Sequence, residues 1–334
     1  MSLDDVEKCV APGQSGQWNS LYVLLGVILM PVALPFVLME CFYRLRVKRY
    51  RNELAEKVVL ITGASSGLGE SLAHAFYKSG CKLILAARRI TELERVKKDL
   101  LGLDVGTVTF PPVILPLDLA ELKDIPTFAQ KALEVHNQID ILVNNGGISV
   151  RATAISSAVD IDLKLMVVNY FGSVALTKAL LPSMLKRKSG HICFISSVQG
   201  KFALPYRSAY SASKHALQAF SDSLRSEVAN KGVHVTCISP GYIRTQLSMN
   251  ALTSKGETYG KMDKTTNSGM RPEKVANRIL NAIVCKEKDV IISDLQAKFA
   301  YYVRSICPSF YFWIIEKRAR RLEKEEAAEQ KKVK

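Results

Sequence analysis

The chain has 334 residues, of which 48% are hydrophobic and 23% charged, so it can bury a sizeable core, and disorder or a collagen-like repeat is excluded. The formal charge of +15 is typical of proteins that bind nucleic acid, an anionic membrane or an anionic substrate. Residues 44–51 carry +5 and residues 317–334 carry +4, and this concentration favours a membrane surface. Residues 52–316 retain +9, but without a nucleic-acid-binding motif, so we predict no nucleic-acid partner. The histidines and cysteines lack metal-ligand spacing, which predicts no metal site.

Residues 1–20 form an N-terminal segment, and residues 21–39 follow as an uncharged apolar run of 19 residues. As a helix this run is about 28 Å long, close to the hydrocarbon thickness of a bilayer. A cleaved signal peptide is the alternative, but the basic residues follow the run instead of preceding it. We predict a transmembrane or membrane-anchor helix, and Pro31 and Pro35 leave a kinked span or a shallow hairpin open. The basic juxtamembrane linker, residues 40–54, places the following domain in the cytosol by the positive-inside rule.

Residues 55–295 alternate short apolar runs with segments of helical period. The seven runs are residues 58–62, 82–88, 112–119, 139–145, 191–197, 234–240 and 289–294. They are apolar throughout, as expected for strands that are buried on both faces. This pattern predicts a single α/β domain, a Rossmann-like doubly wound parallel sheet.

The first apolar run leads directly into the sequence TGASSGLG and then into a helix-like segment. A glycine-rich turn between a strand and a helix lets the backbone approach a pyrophosphate, whose charge then lies at the helix N-terminus. We therefore predict a dinucleotide-binding turn formed by Gly63, Ser65, Ser66, Gly67, Leu68 and Gly69.

The second apolar run ends at Arg88 and Arg89, where an NAD-binding fold would carry an acidic residue for the ribose 2′-hydroxyl. Two guanidinium groups suit a 2′-phosphate, so the sequence favours NADP(H), although two ordinary surface arginines are the alternative. Further turns follow later strands, and their order predicts more cofactor contacts: Asp118 to the adenine, then Asn145, Gly146, Pro240, Gly241, Ile243 and Thr245.

The strongest catalytic signal is Ser197, followed by Tyr210 and then Lys214. Tyr210 and Lys214 lie at positions i and i+4 of a helical segment and therefore share a face. Reduction of a carbonyl needs a proton donor, and a nearby ammonium group would lower the tyrosine pKa toward the working range. We expect Ser197 to hydrogen-bond the substrate oxygen and Asn169 to position a water that leads to Lys214.

Residues 55–295 resemble the short-chain dehydrogenase/reductase (SDR) family, because TGASSGLG, NNGG, VNYFG, Ser197 with YSASK, and PGYIRT occur in the family's order. The resemblance implies a catalytic tetrad of Asn169, Ser197, Tyr210 and Lys214, in which the last two also bind the cofactor. Gly146 stands where the family usually has alanine, and we expect this to loosen the turn without abolishing binding. Since family members are often dimers or tetramers, the resemblance also admits a homo-oligomer.

More narrowly, the apolar N-terminus, ARRITELERVKKDL, NNGG and the aromatic C-terminus resemble the membrane-anchored group of that family designated member seven. This resemblance implies the endoplasmic reticulum, with the peroxisomal membrane as the alternative, NADP(H), and lipophilic carbonyl substrates such as steroids, retinoids or lipid ketones. It also implies single-pass or monotopic attachment, with the catalytic domain in the cytosol.

The leading hypothesis is therefore a membrane-anchored NADPH-dependent carbonyl reductase. We expect Ser197, Gln199 and Tyr206 to contact substrate, and residues 246–268 to form a mobile lid. Residues 296–316 are an aromatic extension that contacts either the membrane or the domain core, and residues 317–334 are a charged tail. A catalytically idle membrane scaffold and an NAD-dependent alcohol dehydrogenase that works in the oxidative direction are the alternatives.

Overall fold

The computed structural model describes residues 34–35, 38–39, 41–43, 45–47 and 49–333 of the chain. It divides into two compact units, Met1–Tyr50 and Arg51–Lys334. Leu34, Pro35, Leu38 and Met39 are helical, but the rest of the predicted anchor, residues 21–39, lies outside the described residues. The membrane-anchor prediction therefore stays a prediction.

The second unit contains a seven-stranded sheet in which every pair of neighbouring strands is parallel. The strand order is β3-β2-β1-β4-β5-β6-β7, and it confirms the predicted Rossmann-like doubly wound fold. The strands are β1 Val58–Thr62, β2 Lys82–Ala87, β3 Val113–Pro116, β4 Ile141–Asn144, β5 Gly190–Ile195, β6 Val233–Pro240 and β7 Asp289–Ile292.

Helices connect the strands and cover both faces of the sheet, because parallel strands need crossover connections. They are α1 Gly67–Tyr77, α2 Ile90–Leu101, α3 Ile125–His136, α4 Val159–Met166, α5 Gly172–Arg187, α6 Ser208–Glu227, α7 Lys264–Asn267, α8 Pro272–Val284, α9 Leu295–Ile306 and α10 Pro308–Val333. The last two helices belong to the same compact unit as the sheet.

The central strands are buried on both faces, which explains why they lack an alternating pattern. All five residues of β1 are buried, and Leu60 and Ile61 are fully inaccessible. The strand order reverses between β1 and β4, and a crevice opens at the carboxyl ends of strands at such a point. The fold therefore places the ends of β1, β2, β4, β5 and β6 around one crevice.

One long helical segment, Val159–Arg187, is interrupted by a π-helical turn at Val167–Phe171. Within the part of the chain that the structure describes, it alone has the length and hydropathy needed to cross a membrane. Half of its most apolar window is buried inside the protein, and it packs on the central sheet through Leu176 and Leu180. We interpret it as a core helix of the domain.

Candidate active site

A cleft of about 520 Å³ opens at the carboxyl ends of the strands. Its wall contains every residue predicted from the sequence to bind cofactor or substrate or to act in catalysis, except Asn169 and Tyr206. The residues concerned are Gly63, Ser65, Ser66, Gly67, Leu68, Gly69, Arg88, Arg89, Asp118, Asn145, Gly146, Ser197, Gln199, Tyr210, Lys214, Pro240, Gly241, Ile243 and Thr245.

The glycine-rich turn leaves open space where side chains would otherwise stand. Gly63 and Gly67 have φ angles of +66° and +59°, a region that glycine adopts without strain. A Cβ atom at Gly69 would overlap the carbonyl oxygen of Gly63. Helix α1 begins at Gly67, so its unpaired N–H groups face the turn and suit an anion. These features fit the diphosphate of a nicotinamide dinucleotide, which supplies the hydride when bound.

Asn145 holds the glycine-rich turn through hydrogen bonds to its main chain. Its Nδ2 atom donates to the carbonyl oxygens of Thr62 and Gly63, at 2.9 and 3.3 Å. The Thr62 hydroxyl in turn accepts from the backbone N–H groups of Asn145 and Gly146, at 3.0 and 2.9 Å. Asn145, directly after β4, therefore positions the turn that leads from β1 into α1, a role that spacing alone did not indicate.

Gly146 leaves no free space for the alanine that is usual in the family. A Cβ atom there would lie 2.7 Å from Leu119 Cδ1. The side chain of Leu119, which lines the cleft, therefore takes up the space of the missing methyl group. Leu119 belongs to the segment that follows β3, so this segment packs directly against the turn at Gly146.

The end of β2 carries the two arginines and no acidic residue. The Arg89 guanidinium donates to the hydroxyls of Ser65 and Ser66, at 3.2 and 2.9 Å, so it lies directly against the glycine-rich turn. Arg88 lies 4.0 Å from Asp118, and both side chains are well exposed, so this ion pair contributes little. Asp118 also accepts from the backbone N–H of Ala120 at 2.9 Å.

Tyr210, Ser197 and Lys214 meet at the centre of the cleft. Burial raises the pKa of Tyr210, whereas a hydrogen bond with Ser197 and the charges of Arg207 and Arg151 oppose that rise. Lys214 Nζ donates to the carbonyl oxygen of Ile195 at 2.8 Å, and it lies 5.8 Å from the centre of the Tyr210 ring. Burial lowers the pKa of Lys214 to about 8.

Ser197 is oriented by the turn that follows β5. Its Oγ atom accepts from the backbone N–H of Gln199 at 3.1 Å and faces the carbonyl oxygen of Pro240 at 3.5 Å. Gln199 is buried and accepts from the Ser211 hydroxyl at 3.2 Å. The serine hydroxyl is therefore held beside Tyr210, where the two can hydrogen-bond one oxygen atom.

Asn169 lies in the π-helical turn, fully buried behind the cleft. Its Oδ1 accepts from the backbone N–H of Ile148 at 2.8 Å, and its Nδ2 donates to Ile148 O and to Ser213 Oγ, at 2.9 and 3.0 Å. The side-chain amide is thus fully used in holding the segment after β4. π-Helical turns are frequent at functional sites.

The structure also brings together a charged cluster that no sequence pattern indicated. Asp263 Oδ2 accepts from Arg151 at 2.6 and 2.9 Å and from Arg207 at 3.2 Å. Arg207 further donates to the Tyr242 hydroxyl at 3.1 Å. We call Arg151, Arg207 and Asp263 the arginine clasp. Burial and the charge of Arg207 lower the pKa of Arg151 although Asp263 opposes this, so one carboxylate does not fully compensate two buried cations.

The predicted lid, residues 246–268, contributes Gln246, Leu247, Ser248, Asn250, Leu252, Thr258 and Thr266 to the cleft wall. Asp263, at the start of α7, connects the lid to the arginine clasp. Tyr206, which was predicted to contact substrate, does not line the cleft, whereas its neighbours Leu204 and Arg207 do. Its backbone has a φ of +64°, and its carbonyl oxygen accepts from the N–H of Ala152 at 3.2 Å.

A dinucleotide cradle joined to a serine, a buried tyrosine and a lysine defines a nicotinamide-dependent oxidoreductase. A family model described as short chain dehydrogenase matches residues 57–256. The chain therefore belongs to the short-chain dehydrogenase/reductase family, and it is an oxidoreductase acting on CH–OH groups with a nicotinamide cofactor.

Curated relatives extend the similarity over almost the whole chain. A Drosophila melanogaster dehydrogenase/reductase SDR family protein 7-like is 67% identical over 326 residues, covering 98% of this chain and 99% of the relative. The mouse dehydrogenase/reductase SDR family member 7B is 45% identical over 293 residues, covering 88% and 90%. Among solved structures, a short-chain dehydrogenase from Streptomyces avermitilis is 29% identical with a TM-score of 0.66, covering 79% of this chain and 97% of that one.

Proposed function

We propose that this protein is a membrane-anchored, NADPH-dependent carbonyl reductase that converts a lipophilic ketone or aldehyde into its alcohol. The observation that carries the proposal is the position of the Tyr210 hydroxyl, buried with Ser197 and Lys214 beside the glycine-rich turn. Because its pKa is raised, the phenol is protonated at neutral pH and ready to donate a proton.

In this proposal the carbonyl oxygen of the substrate accepts hydrogen bonds from Tyr210 and Ser197. The tyrosine proton moves to that oxygen as negative charge develops on it, and the nearby Lys214 ammonium stabilises the phenolate that remains. Lys214 is held at the carbonyl of Ile195, so its charge acts from a fixed point. Asn169 supports this arrangement by holding the segment after β4.

The preference for NADP(H) rests on Arg88 and Arg89, which lie where the adenosine ribose of a dinucleotide is bound. Arg89 hydrogen-bonds Ser65 and Ser66, so its guanidinium already lies beside the turn that suits the diphosphate. A 2′-phosphate there would gain charge-assisted hydrogen bonds, whereas a 2′-hydroxyl would gain none from a carboxylate.

Attachment to the endoplasmic reticulum or the peroxisomal membrane is part of the same proposal. It rests on the apolar run of residues 21–39, the basic residues that follow it, and the apolar part of the cleft wall that Leu204, Leu247 and Leu252 provide. A membrane-dissolved carbonyl compound is the substrate class that such a protein would meet.

The Tyr210→Phe variant tests the reaction. We expect it to lose about a thousandfold in NADPH oxidation with a panel of steroid, retinoid and long-chain ketones, because the proton donor is removed. It should still bind NADPH, measured by quenching of its fluorescence. Tyr77→Phe is the matched control, since the Tyr77 hydroxyl bonds Thr109 away from the cleft, and it should retain full turnover. Unchanged turnover of Tyr210→Phe would overturn the proposal.

The Arg88→Ser/Arg89→Ser variant tests the cofactor preference. We expect its KM for NADPH to rise about tenfold or more while the KM for NADH stays within about twofold, because charge-assisted bonds to the phosphate are lost. Lys98→Ser, which removes an exposed cation from α2, is the control and should change neither constant. Equal rises for both cofactors would contradict the NADPH assignment.

A further inference from the structure

Each of the two C-terminal helices packs one side against the domain and leaves another side exposed to solvent. On α9, Ala297, Ala300, Tyr301 and Val303 pack against a small core around Val198 and Phe202. The opposite side of α9 carries large apolar side chains with exposed fractions of 82, 61, 59 and 81%, namely Leu295, Phe299, Tyr302 and Ile306. Their spacing of four, three and four residues places them on one face of the helix.

Helix α10 repeats this arrangement. Tyr311 is buried, and its hydroxyl donates to the carbonyl oxygen of Ala203 at 2.9 Å. Phe310 and Trp313 are half exposed and stack with ring centres 5.8 Å apart. Lys317 Nζ lies 3.7 Å from the centre of the Trp313 ring. We call the exposed residues the C-terminal apolar face: Leu295, Phe299, Tyr302, Ile306, Phe310 and Trp313.

The C-terminal helices lie beside the entrance of the cleft. Ala203, which Tyr311 contacts, precedes Leu204 in the cleft wall. On α10, Arg318 donates to the Tyr242 hydroxyl at 3.3 Å, and Tyr242 lines the cleft and contacts Arg207. Whatever covers the C-terminal apolar face is therefore next to the path of the substrate.

The positive charge of residues 294–324 indicates which kind of partner covers the C-terminal apolar face. Residues 294–324 contain seven lysines and arginines against three acidic residues. Two copies of this face placed together would bring their positive charges into contact, which disfavours a dimer. The uncharged run of residues 21–39 has no acidic residue to pair with them. Anionic lipid headgroups complement the basic residues, while exposed aromatic and aliphatic side chains suit the membrane interface.

We propose that the C-terminal apolar face lies in the interfacial layer of an anionic membrane and places the cleft entrance at the lipid surface. Helix α9, with 12 residues, is too short to span a bilayer, and α10 lacks an apolar stretch long enough along its described length, so the contact is interfacial. Delivery of substrate from the lipid rests on the proposed reductase function, whereas the contact itself does not.

Trp313 reports the contact directly, because the chain has two tryptophans and the other is Trp18. The full-length Trp18→Phe variant is reconstituted in vesicles of phosphatidylcholine with about 30 mol% phosphatidylserine, a composition that supplies the anionic surface. We expect lipids brominated on their acyl chains to quench Trp313 at least about twofold more than aqueous iodide does, as an interfacial position requires. In vesicles without phosphatidylserine the quenching should weaken.

The control is the tryptophan introduced by Val108→Trp in a Trp18→Phe/Trp313→Phe background, because Val108 is 77% exposed in the segment between α2 and β3. It should be quenched by iodide and not by bromolipid. The same pattern at Trp313 would overturn the proposal. Shielding of Trp313 from both quenchers would overturn it too, in favour of a second copy or residues 21–39 as the cover.

The double variant Phe299→Glu/Ile306→Glu tests the functional consequence, since both side chains are exposed and their replacement leaves the core intact. Turnover of a long-chain ketone dissolved in vesicles should fall about fivefold or more, because charged side chains leave the interface. Turnover of a short water-soluble ketone should stay unchanged. Equal loss on both substrates would refute lipid delivery, and inactivity of the wild type on both would refute the reductase function while leaving the Trp313 result valid.

Discussion

Replacing Asp263 by asparagine removes the charge that holds the arginine clasp together while keeping the shape of the side chain. Asp263 contacts Arg151 at 2.6 Å and Arg207 at 3.2 Å, and the three side chains are only 11 to 15% exposed. The variant leaves two guanidinium groups close together with no carboxylate between them. We expect the lid, residues 246–268, to open more often as a result.

The size of the effect follows from the depth of burial. Two opposite charges about 4 Å apart attract by about 4 kcal/mol at an effective dielectric constant of 20. Removing one partner of a buried pair typically costs about 3 to 5 kcal/mol. Because some water still reaches Asp263, we expect a loss of about 3 kcal/mol, which corresponds to about a hundredfold more frequent opening of the lid.

Limited trypsin digestion measures this opening, because the lid contains three exposed lysines, Lys255, Lys261 and Lys264. When opening is fast relative to cleavage, the cleavage rate follows the population of the open form. Glu273→Gln is the matched control: its partner Arg271 lies 3.9 Å away, and both side chains are well exposed, so cleavage should change by less than about twofold. A lid cleavage rate in Asp263→Asn within twofold of the wild type would refute the reasoning, since the clasp would then contribute nothing to closure.

Two further substitutions test the cradle and the buried lysine. Gly69→Ala should abolish measurable NADPH binding, because the new methyl group would overlap the carbonyl oxygen of Gly63. The control Gly106→Ala has open space around it and should bind NADPH normally. Near-normal binding by Gly69→Ala in a titration of NADPH fluorescence would contradict the proposed binding turn. Lys214 has a pKa of about 8 when folded against 10.5 when unfolded, so the unfolded chain binds more protons between these values and stability rises with pH there. Relative to Lys214→Met, the free energy of unfolding of the wild type, measured with urea, should therefore increase by about 3 kcal/mol between pH 7.5 and 10.5. Parallel pH dependences of the two proteins would show that burial does not lower the pKa of Lys214.

The sheet was predictable because each strand is short, apolar and buried on both faces. Strand β1 has the bounds expected from its sequence, Val58–Thr62. Strand β3 is shorter than its apolar run, since the chain leaves the sheet after Pro116 so that Leu117, Asp118 and Leu119 can form the cleft wall. Periodicity reports burial and does not report this change of direction.

The candidate site at Tyr210 and Lys214 could be predicted because the two residues are close in sequence, whereas the arginine clasp could not. Tyr210 and Lys214 share one turn of α6, but Asp263 lies 112 residues from Arg151 and 56 from Arg207. Only the folded chain brings such residues together. The sequence predicted that the Lys214 ammonium lowers the pKa of Tyr210. In the structure burial raises this pKa instead, and the charges that oppose burial are those of Arg207 and Arg151.

The raised pKa of Tyr210 bears on the direction of the reaction. Burial raises this pKa above 10 despite the hydrogen bond with Ser197 and the two arginines, so the phenol keeps its proton throughout the neutral range. Reduction needs that proton, whereas oxidation of an alcohol needs the phenolate to accept one. We therefore expect the rate of ketone reduction to stay nearly constant between pH 6 and 7, where Lys214 with its pKa of about 8 also keeps its proton. The rate of alcohol oxidation should rise about tenfold over the same interval, because the phenolate fraction rises by that factor per pH unit below the pKa. Initial rates in both directions, measured with the same ketone–alcohol pair across this range, check the expectation. An oxidation rate that does not change with pH would mean that Tyr210 is already ionised in the working enzyme. The positive charges around Tyr210 would then lower its pKa by more than burial raises it.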